Sequence, residues 1–294
     1  MGEADFLQWL AAQAGAHPLI LHGIGDDLAV LKWPENILLI GADQVLDEVH
    51  FNSRVHSPEA IGRKAMNRNL SDCAAMACLP AAAVVTVALP RGSGLEYAKA
   101  LYRGLRQAGD AADCAVVGGD TGSWEGKLAM SVAILGRTDG IKPISRAGGK
   151  AGDTLFVTGA LGGSLLGRHM TFTPRVELAR RLARQYEIHA MIDLSDGLSR
   201  DLGQICAQSG AGAVVNGERI PIHDDAVKLA ARDGRMPLEH ALHDGEDYEL
   251  LFASPSASID EAIAIGRLTA EGKIWLETDG KREALEPRAW EHAL

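Results

Sequence analysis

Apolar and polar positions along the first half of the chain predict interleaved strands and helices. Short apolar runs rich in β-branched residues predict strands, and longer segments with apolar residues three or four positions apart predict helices. Helices are predicted at residues 3–14, 57–78 and 94–112, and strands at 28–33, 36–43, 81–90 and 127–138. A further strand begins at Cys114 and is predicted to end in a Gly-Gly-Asp-Thr turn. The helix at 57–78 has clear start signals, with Ser57 as N-cap, Pro58 at the first helical position and Glu59 in the first turn.

The pattern restarts near residues 143–150, where Gly, Pro and Lys accumulate before a new strand at Thr154. The second half then repeats the order of the first, with a strand, a glycine-rich turn, a helix at 175–186 and an acidic strand within "AMIDLSDG". We therefore predict two α+β domains, residues 1–145 and 146–294.

Composition and charge narrow the function classes. The 294 residues are 47% hydrophobic and 23% charged, as in a globular protein, and their net charge is -10 with no basic cluster. Nucleic-acid binding is therefore not expected. No apolar run reaches the length of a membrane span and the N-terminus lacks the basic start of a secretory signal, so we expect no membrane association and a cytoplasmic location. The cysteines have no metal-like spacing and are expected to be buried, reduced thiols.

Acidic side chains recur at predicted strand ends and helix starts. In the first half they are Asp26 and Asp27 in "GIGDD", Asp43 at the end of "ILLIGAD", Asp72 in "NRNLSD" and Asp120 in "GGDT". In the second half they are Asp193 and Asp196 in "IDLSDG", and Glu246 and Asp247 in "GEDYEL". Each has a structural alternative: a tight turn at 26–27, a buried hydrogen-bonding patch formed by Asn69 and Asp72, or helix capping by Ser195 or Asp196. Capping does not explain Asp193, because a carboxylate in an apolar strand is costly without a partner.

Together these clusters favour a site for several metal ions. Oxygen ligands without a His or Cys cluster select Mg²⁺. Magnesium held by carboxylates lets an acidic protein bind a nucleoside triphosphate, and Gly118 and Gly119 let the backbone approach a phosphate closely. Neither the P-loop motif nor the protein-kinase motif set occurs in the chain.

In order along the chain, the motifs GIGDD, NLSDxAAM, GGDT, IDLSDG and GEDYEL resemble those of the thiamine-monophosphate kinases. These enzymes belong to the aminoimidazole-ribonucleotide-synthetase-like superfamily of ATP-using enzymes. The resemblance runs from about Gly23 to Glu249, and the combination of NLSDxAAM, IDLSDG and GEDYEL is its most specific part. It implies a two-domain α+β fold of that superfamily. The N-terminal α/β domain would have a mixed sheet, bind ATP and magnesium and form the dimer, and the C-terminal domain would be α+β.

The resemblance also implies roles for individual residues. It implies magnesium ligands at Asp27, Asp43, Asp72, Asp120, Asp193 and Asp196, ATP contacts at Gly119, Asp120, Arg146 and Ser195, and thiamine-phosphate contacts at His50, Glu246 and Trp290. Asp26 is expected to be structural. An aromatic face and a carboxylate suit a cationic thiazolium ring, although packing is the alternative for Trp290.

The chain departs from the family pattern beside one of these carboxylates. The family usually has Ser-Thr-Asp where this chain has Gly41, Ala42 and Asp43. The hydroxyl next to the carboxylate is therefore missing, which predicts a weaker metal position there.

The activity implied is transfer of the γ-phosphoryl group of ATP to thiamine monophosphate by a homodimer. Because the nucleophile is a phosphate oxygen that is already ionised at neutral pH, no catalytic general base is expected, and catalysis rests on alignment and charge neutralisation. Two alternatives stay open at this point. One is a related ATP-dependent synthetase of the superfamily, and the other is a non-catalytic nucleotide-binding member.

Overall fold

A computed structural model describes residues 20–22, 28–33 and 36–288. The predicted helix at 3–14 and the candidates Asp26, Asp27 and Trp290 lie outside the described residues. The strands are β1 Ile20–His22, β2 Ala29–Trp33, β3 Asn36–Leu46, β4 Leu79–Pro90, β5 Ala115–Trp124, β6 Ala129–Arg137, β7 Thr154–Val157, β8 Ala190–Asp193, β9 Gly212–Asn216, β10 Leu250–Ser254, β11 Ile263–Thr269, β12 Ile274–Thr278 and β13 Lys281–Ala284. The α-helices are α1 Pro58–Ala75, α2 Leu95–Ala111, α3 Val176–Gln185, α4 Leu198–Ser209, α5 Asp224–Asp233 and α6 Pro237–His243.

The first sheet has the strand order β1-β2-β3-β6-β4-β5. Adjacent strands in this sheet are antiparallel, except for β4 and β5, which are parallel and connected through α2. Helices α1 and α2 pack with their backbones nearly in contact. A Cβ at Gly62 would lie 2.1 Å from the carbonyl oxygen of Leu101, and a Cβ at Gly104 would lie 1.9 Å from that of Glu59. Glycine is therefore required at both positions.

The second sheet has the order β13-β12-β9-β11-β7-β10-β8. Strands β9 and β12 are parallel, and the other neighbours are antiparallel. The predicted mixed sheet in the first half and the α+β class are confirmed. Within the described residues, no helix combines the length and apolar character that crossing a bilayer requires.

Helix α1 lies between the two sheets and contacts β3, β6 and β8. Strands β7, β8 and β10 of the second sheet are buried on both faces, and their successive side chains point in opposite directions. Phe156 and Phe252 stack with ring centroids 5.2 Å apart and share one core with Met66 of α1. Leu155 and Leu251 point the other way, into a second core with residues of α4. The two halves of the chain therefore share a core around α1.

Local signals predicted the start of α1 correctly. Ser57 is the N-cap, and its hydroxyl accepts a hydrogen bond from the backbone N–H of Ala60 at 3.2 Å. The end of β3 was predicted wrongly, since pairing with β6 continues to Leu46 and places Asp43 inside the strand. The predicted Gly-Gly-Asp-Thr turn is also wrong. These residues lie within β5, where Asp120 pairs with Thr86 of β4.

The predicted cap of α4 is wrong as well. Gly197 is the N-cap and supplies no side chain, so neither Ser195 nor Asp196 caps the helix. The carboxylate of Asp201 instead reaches back and accepts hydrogen bonds from the backbone N–H groups of Asp196 and Gly197, both at 3.1 Å. A carboxylate at the start of a helix also stabilises the positive end of the helix dipole.

Candidate active site

One face of α1 carries three charged residues toward the second domain. Lys64, Arg68 and Asp72 are four positions apart, so they lie one above the other on the helix. Lys64 is hydrogen-bonded to Glu246 in the segment before β10, and Arg68 interacts electrostatically with Glu246 and Tyr248 of the same segment. A helix packed between two sheets thus delivers two cations and a carboxylate to the junction of the domains.

Lys64 is fully buried and is held on several sides. Its ammonium group donates to both carboxylate oxygens of Glu246, at 2.8 and 2.9 Å, and to the backbone carbonyl of His50. Burial lowers the pKa of Lys64 to about 8, although the carboxylate of Glu246 opposes this effect. The hydrogen bonds of Lys64 join the predicted substrate positions His50 and Glu246.

Arg68 stands between the two domains. Its Nε donates to Oδ2 of Asp43 at 3.1 Å. Burial alone would lower the pKa of Arg68, but Tyr248, Asp43, Glu246 and Asp72 raise it above its usual range. Asp43 and Asp72, both predicted as metal ligands, therefore share this guanidinium as a neighbour.

Asp193 has the partner that the sequence required. The hydroxyl of Ser71, next to Asp72 on α1, donates to Oδ2 of Asp193 at 2.6 Å. Asp193 ends β8 and is 3% exposed, whereas Asp196 is exposed and lies 3.4 Å from Nε of Arg200. The hydrogen bond from Ser71 brings the acidic turn of the second domain against the acidic end of α1.

Asp201 forms a second acidic group with this turn. Burial raises the pKa of Asp201 well above its usual range, and the neighbouring Asp196 and Asp193 raise it further. The backbone N–H of Asp196 and the guanidinium of Arg146 act in the opposite direction. Arg146, a predicted ATP contact, therefore lies near the acidic turn.

The substrate and nucleotide positions are connected through the backbone. The N–H of Glu246 donates to the carbonyl of Ser195 at 2.7 Å, and the N–H of Tyr248 donates to the carbonyl of Leu194 at 2.8 Å. Glu246 and Tyr248 adopt left-handed backbone conformations, with φ of 52° and 53°. Such conformations are strained in residues other than glycine, so the surrounding contacts must hold them.

The three carboxylates of "GEDYEL" bond to three different parts of the structure. Glu246 faces Lys64, and its Oε1 accepts a hydrogen bond from the hydroxyl of Tyr248 at 3.2 Å. Asp247 accepts from the N–H of Gly162 at 3.0 Å and from Arg168 at 3.0 Å. Burial raises the pKa of Asp247 to about 7, and Arg168 opposes this effect. Asp247 therefore fixes the glycine-rich turn after β7.

Glu249 completes the motif as a structural residue. It accepts a hydrogen bond from the hydroxyl of Thr158 at 2.7 Å and forms an ion pair with Arg175. Only one of the three carboxylates thus points toward the predicted substrate site.

Gly119 and Asp120 lie apart from the other candidates. Strand pairing places Asp43, Val132, Val85 and Gly119 in one row across the first sheet. Three strand spacings separate β3 from β5, roughly 14 Å at about 4.8 Å each. Both residues of β5 are exposed on the edge strand. A Cβ at Gly119 would lie 1.8 Å from the carbonyl oxygen of Val85, so the glycine has a packing reason of its own.

The carboxylates form two groups that meet at one hydrogen bond. Asp43 and Asp72 neighbour Arg68, Asp193 and Asp196 neighbour Asp201, and the bond from Ser71 to Asp193 connects the groups. Among the residues that the structure describes, no three His, Cys, Asp or Glu side chains converge into a ready metal site. The donors are nevertheless all oxygens, which is the ligand type that Mg²⁺ prefers.

The chain matches known proteins along almost its whole length. The N-terminal domain of AIR synthase related proteins matches residues 25–138, and their C-terminal domain matches residues 147–276. The thiamine-monophosphate kinase of Rhodopirellula baltica is 41% identical over an alignment 308 positions long, which covers 99% of this chain and 97% of that protein. The chain belongs to the thiamine-monophosphate kinase family.

Solved structures agree with this assignment. AaThiL complexed with AMPPCP and TMP superposes with a TM-score of 0.88 at 30% identity, covering 99% of this chain and 97% of that one. Thiamine monophosphate kinase from Aquifex aeolicus superposes with a TM-score of 0.82 at 29% identity, covering 97% and 98%. The predicted superfamily fold is confirmed.

Three residues of this thiamine-monophosphate kinase family member were missed by the sequence analysis. Lys64 is a fully buried cation and Arg68 a largely buried one, although the chain showed no basic cluster, and Asp201 fixes the acidic turn. The spacing of Lys64, Arg68 and Asp72 along one helix face was the available signal. For Asp201 the signal was a carboxylate in the first turn of the predicted helix.

Proposed function

We propose that this protein transfers the γ-phosphoryl group of ATP to the phosphate of thiamine monophosphate, giving ADP and thiamine diphosphate. The observation that supports this most is the 41% identity to a thiamine-monophosphate kinase over 99% of the chain. The complex of AaThiL with AMPPCP and TMP supports an ATP-like nucleotide and TMP as the two ligands.

The reaction needs alignment and charge neutralisation more than proton transfer. An oxygen of the thiamine phosphate attacks the γ-phosphorus, the bond to the β,γ-bridging oxygen breaks, and its electron pair stays on ADP. The attacking oxygen is already ionised near pH 7, so no general base is required. Glu246, held by Lys64, offers a carboxylate to the positively charged thiazolium ring, and the proposal keeps His50 and Trp290 as further substrate contacts.

Magnesium is the metal that suits the donor set. Asp72, Asp193 and Asp196 supply carboxylate oxygens near the junction of the domains, and the proposal adds Asp43, Asp27 and Asp120. Bound magnesium would neutralise phosphate oxygens and orient the transferring group. Gly119, Asp120, Arg146 and Ser195 remain the proposed ATP contacts.

A homodimer through the N-terminal domains is part of the proposal. One face of the first sheet leaves apolar residues exposed at Ile40, Val84 and Leu135, by 39%, 44% and 38%. Exposed apolar surface of this kind marks interaction sites. Strand β5, which carries Asp120, is the last strand of the same sheet among the described residues, so a partner there would lie beside a proposed metal ligand. A cytoplasmic location is also proposed, and four buried free cysteines are consistent with it.

The test is direct. Protein, ATP, magnesium and thiamine monophosphate are incubated together, and thiamine diphosphate is separated and quantified. Formation of one thiamine diphosphate per ADP, abolished by a chelator, is the expected result. ATP binding without product in the presence of magnesium would instead favour a non-catalytic nucleotide binder.

A further inference from the structure

Arg68 has a buried nitrogen for which the described residues provide no acceptor. Its Nε is bonded to Asp43, whereas Nη1 is buried and has no hydrogen-bond partner within the described part of the chain. A buried donor left unpaired is unfavourable, so such groups usually have a ligand or another functional reason. An arginine side chain presents several N–H donors in a planar fork that matches phosphate oxygens.

The surroundings of Arg68 include both kinds of predicted position. Its electrostatic neighbours are Asp43 and Asp72, both predicted magnesium ligands, and Glu246 and Tyr248 of the predicted substrate side. If ATP and the second phosphate bind between these residues, a cation here would neutralise the oxygens that carry charge when the phosphoryl group moves.

Asp43 is also a poor metal ligand in this chain. One of its oxygens already accepts from Arg68, and the two preceding residues, Gly41 and Ala42, have no side-chain oxygen. The pairing of Arg68 with Asp43 thus places a fixed positive charge where a divalent ion would otherwise need Asp43.

We propose that Arg68 acts as a fixed cation of the active site, which donates to the reacting phosphates through its guanidinium group and takes the place of the divalent ion otherwise assigned to Asp43. This inference rests on the proposed kinase function. Arg68 forms no covalent bond in the reaction; its N–H groups donate to phosphate oxygens that carry the charge during transfer. The role is that of a catalytic residue, because the guanidinium touches the reacting groups.

The test counts metal ions as well as turnover. Mn²⁺ binding per chain is measured by electron paramagnetic resonance in the presence of AMPPCP, for the wild type and for Arg68→Gln. Arg68→Gln should bind one additional Mn²⁺, because Asp43 is released, and its turnover should fall on the order of a hundredfold or more. Asp43→Asn added to Arg68→Gln should remove the additional ion.

A matched control lies on the same helix. Arg63 donates to Gln107 at 2.7 Å on the side of α1 that faces α2, so Arg63→Gln should keep the wild-type ion count and turnover. Arg68→Lys provides a variant that keeps the charge on Asp43. It should keep the ion count but lose about tenfold or more in turnover, because an ammonium group lacks the planar fork.

An unchanged ion count in folded Arg68→Gln would overturn the proposal even if turnover fell, and so would wild-type turnover in Arg68→Gln. If Arg68→Gln does not fold, wild-type turnover in Arg68→Lys would overturn it. The ion count requires only AMPPCP and Mn²⁺. A wild-type protein that makes no thiamine diphosphate would therefore refute the kinase function separately from this inference.

Discussion

Lys64 of the first domain and Glu246 of the second form a buried ion pair, with the ammonium nitrogen 2.8 and 2.9 Å from the two carboxylate oxygens. The partners are 182 positions apart in the sequence. The same ammonium donates to the carbonyl of His50, and Glu246 is bonded through its backbone to Ser195. One lysine therefore sets the positions of two proposed substrate contacts relative to the proposed nucleotide site.

Removal of one partner of this pair should be far more costly than removal of both. Lys64→Met leaves the carboxylate of Glu246 without its cation, and we expect a loss of about 3–5 kcal/mol in the free energy of unfolding. The double variant Lys64→Met, Glu246→Gln should regain most of that loss. Urea unfolding measures both values. A double variant as unstable as Lys64→Met would show that lost packing, not an uncompensated charge, is responsible.

The lowered pKa of Lys64 predicts a stability change with pH. Folding lowers this pKa from 10.5 to about 8. Between these values the unfolded chain holds a proton that the folded protein has released, so stability rises with pH in this window. Relative to the double variant, the wild type should gain about 2 kcal/mol between pH 8 and pH 9.5, at 1.36 kcal/mol per unit. If the free energy of unfolding changed with pH in the same way for the two proteins, burial would not shift the pKa of Lys64.

Asp72→Asn tests the proposed metal role at the acidic end of α1. The change keeps the size of the side chain and removes its charge. If Asp72 holds magnesium, turnover should fall on the order of a hundredfold or more, as expected when part of the charge clamp on a phosphoryl group is lost. The melting temperature should change little, because the side chain is only half-buried. Turnover near the wild-type level would return Asp72 to a structural role.

Ser71→Ala tests the hydrogen bond that connects the two acidic groups. Its hydroxyl donates to Asp193 at 2.6 Å in a buried setting, and hydrogen bonds to charged groups contribute about 1.5–3 kcal/mol. We expect a loss of stability of that order in thermal unfolding, with weaker magnesium binding. Ser93→Ala is the matched control, since that hydroxyl donates at 2.6 Å to the carbonyl of Pro90 in a surface turn. Equal effects of the two changes would mean that Asp193 does not depend on Ser71.

The sequence predicted features that local chemistry determines. The start of α1 was correct because Ser57, Pro58 and Glu59 act on the backbone within one turn. The Gly-Gly-Asp-Thr segment was predicted as a turn because glycine is common in turns, but pairing with β4 keeps it extended, and Gly119 is needed to clear the carbonyl of Val85. That requirement comes from the neighbouring strand and has no local signature.

The proposed site residues come mainly from the motifs. The resemblance proposed Glu246 as a substrate contact, but it did not predict the partners of Asp247 and Glu249, which lie in the turn after β7 and at the start of α3. The cations Lys64 and Arg68 were missed because their burial depends on a second domain that packs over α1. Contacts of this type, between residues far apart in the chain, depend on tertiary packing. The only sign of them in the sequence is the four-residue spacing on α1.

Val84→Glu tests the proposed dimer through the open face of the first sheet. Val84 is 44% exposed, and a buried carboxylate without a partner would be costly if a second copy covers this face. We expect the variant to elute as a monomer in size-exclusion chromatography with light scattering, and to lose turnover if the partner brings β5 and Asp120 into position. Val227→Glu is the control, since Val227 is 52% exposed on α5, outside the first sheet, and should leave a dimer unchanged. A Val84→Glu protein that remains dimeric and active would place the interface elsewhere. In that case Asp120, roughly 14 Å from β3 within one chain, could reach a shared site only through a partner at the edge of β5, and the open face would lose its proposed role.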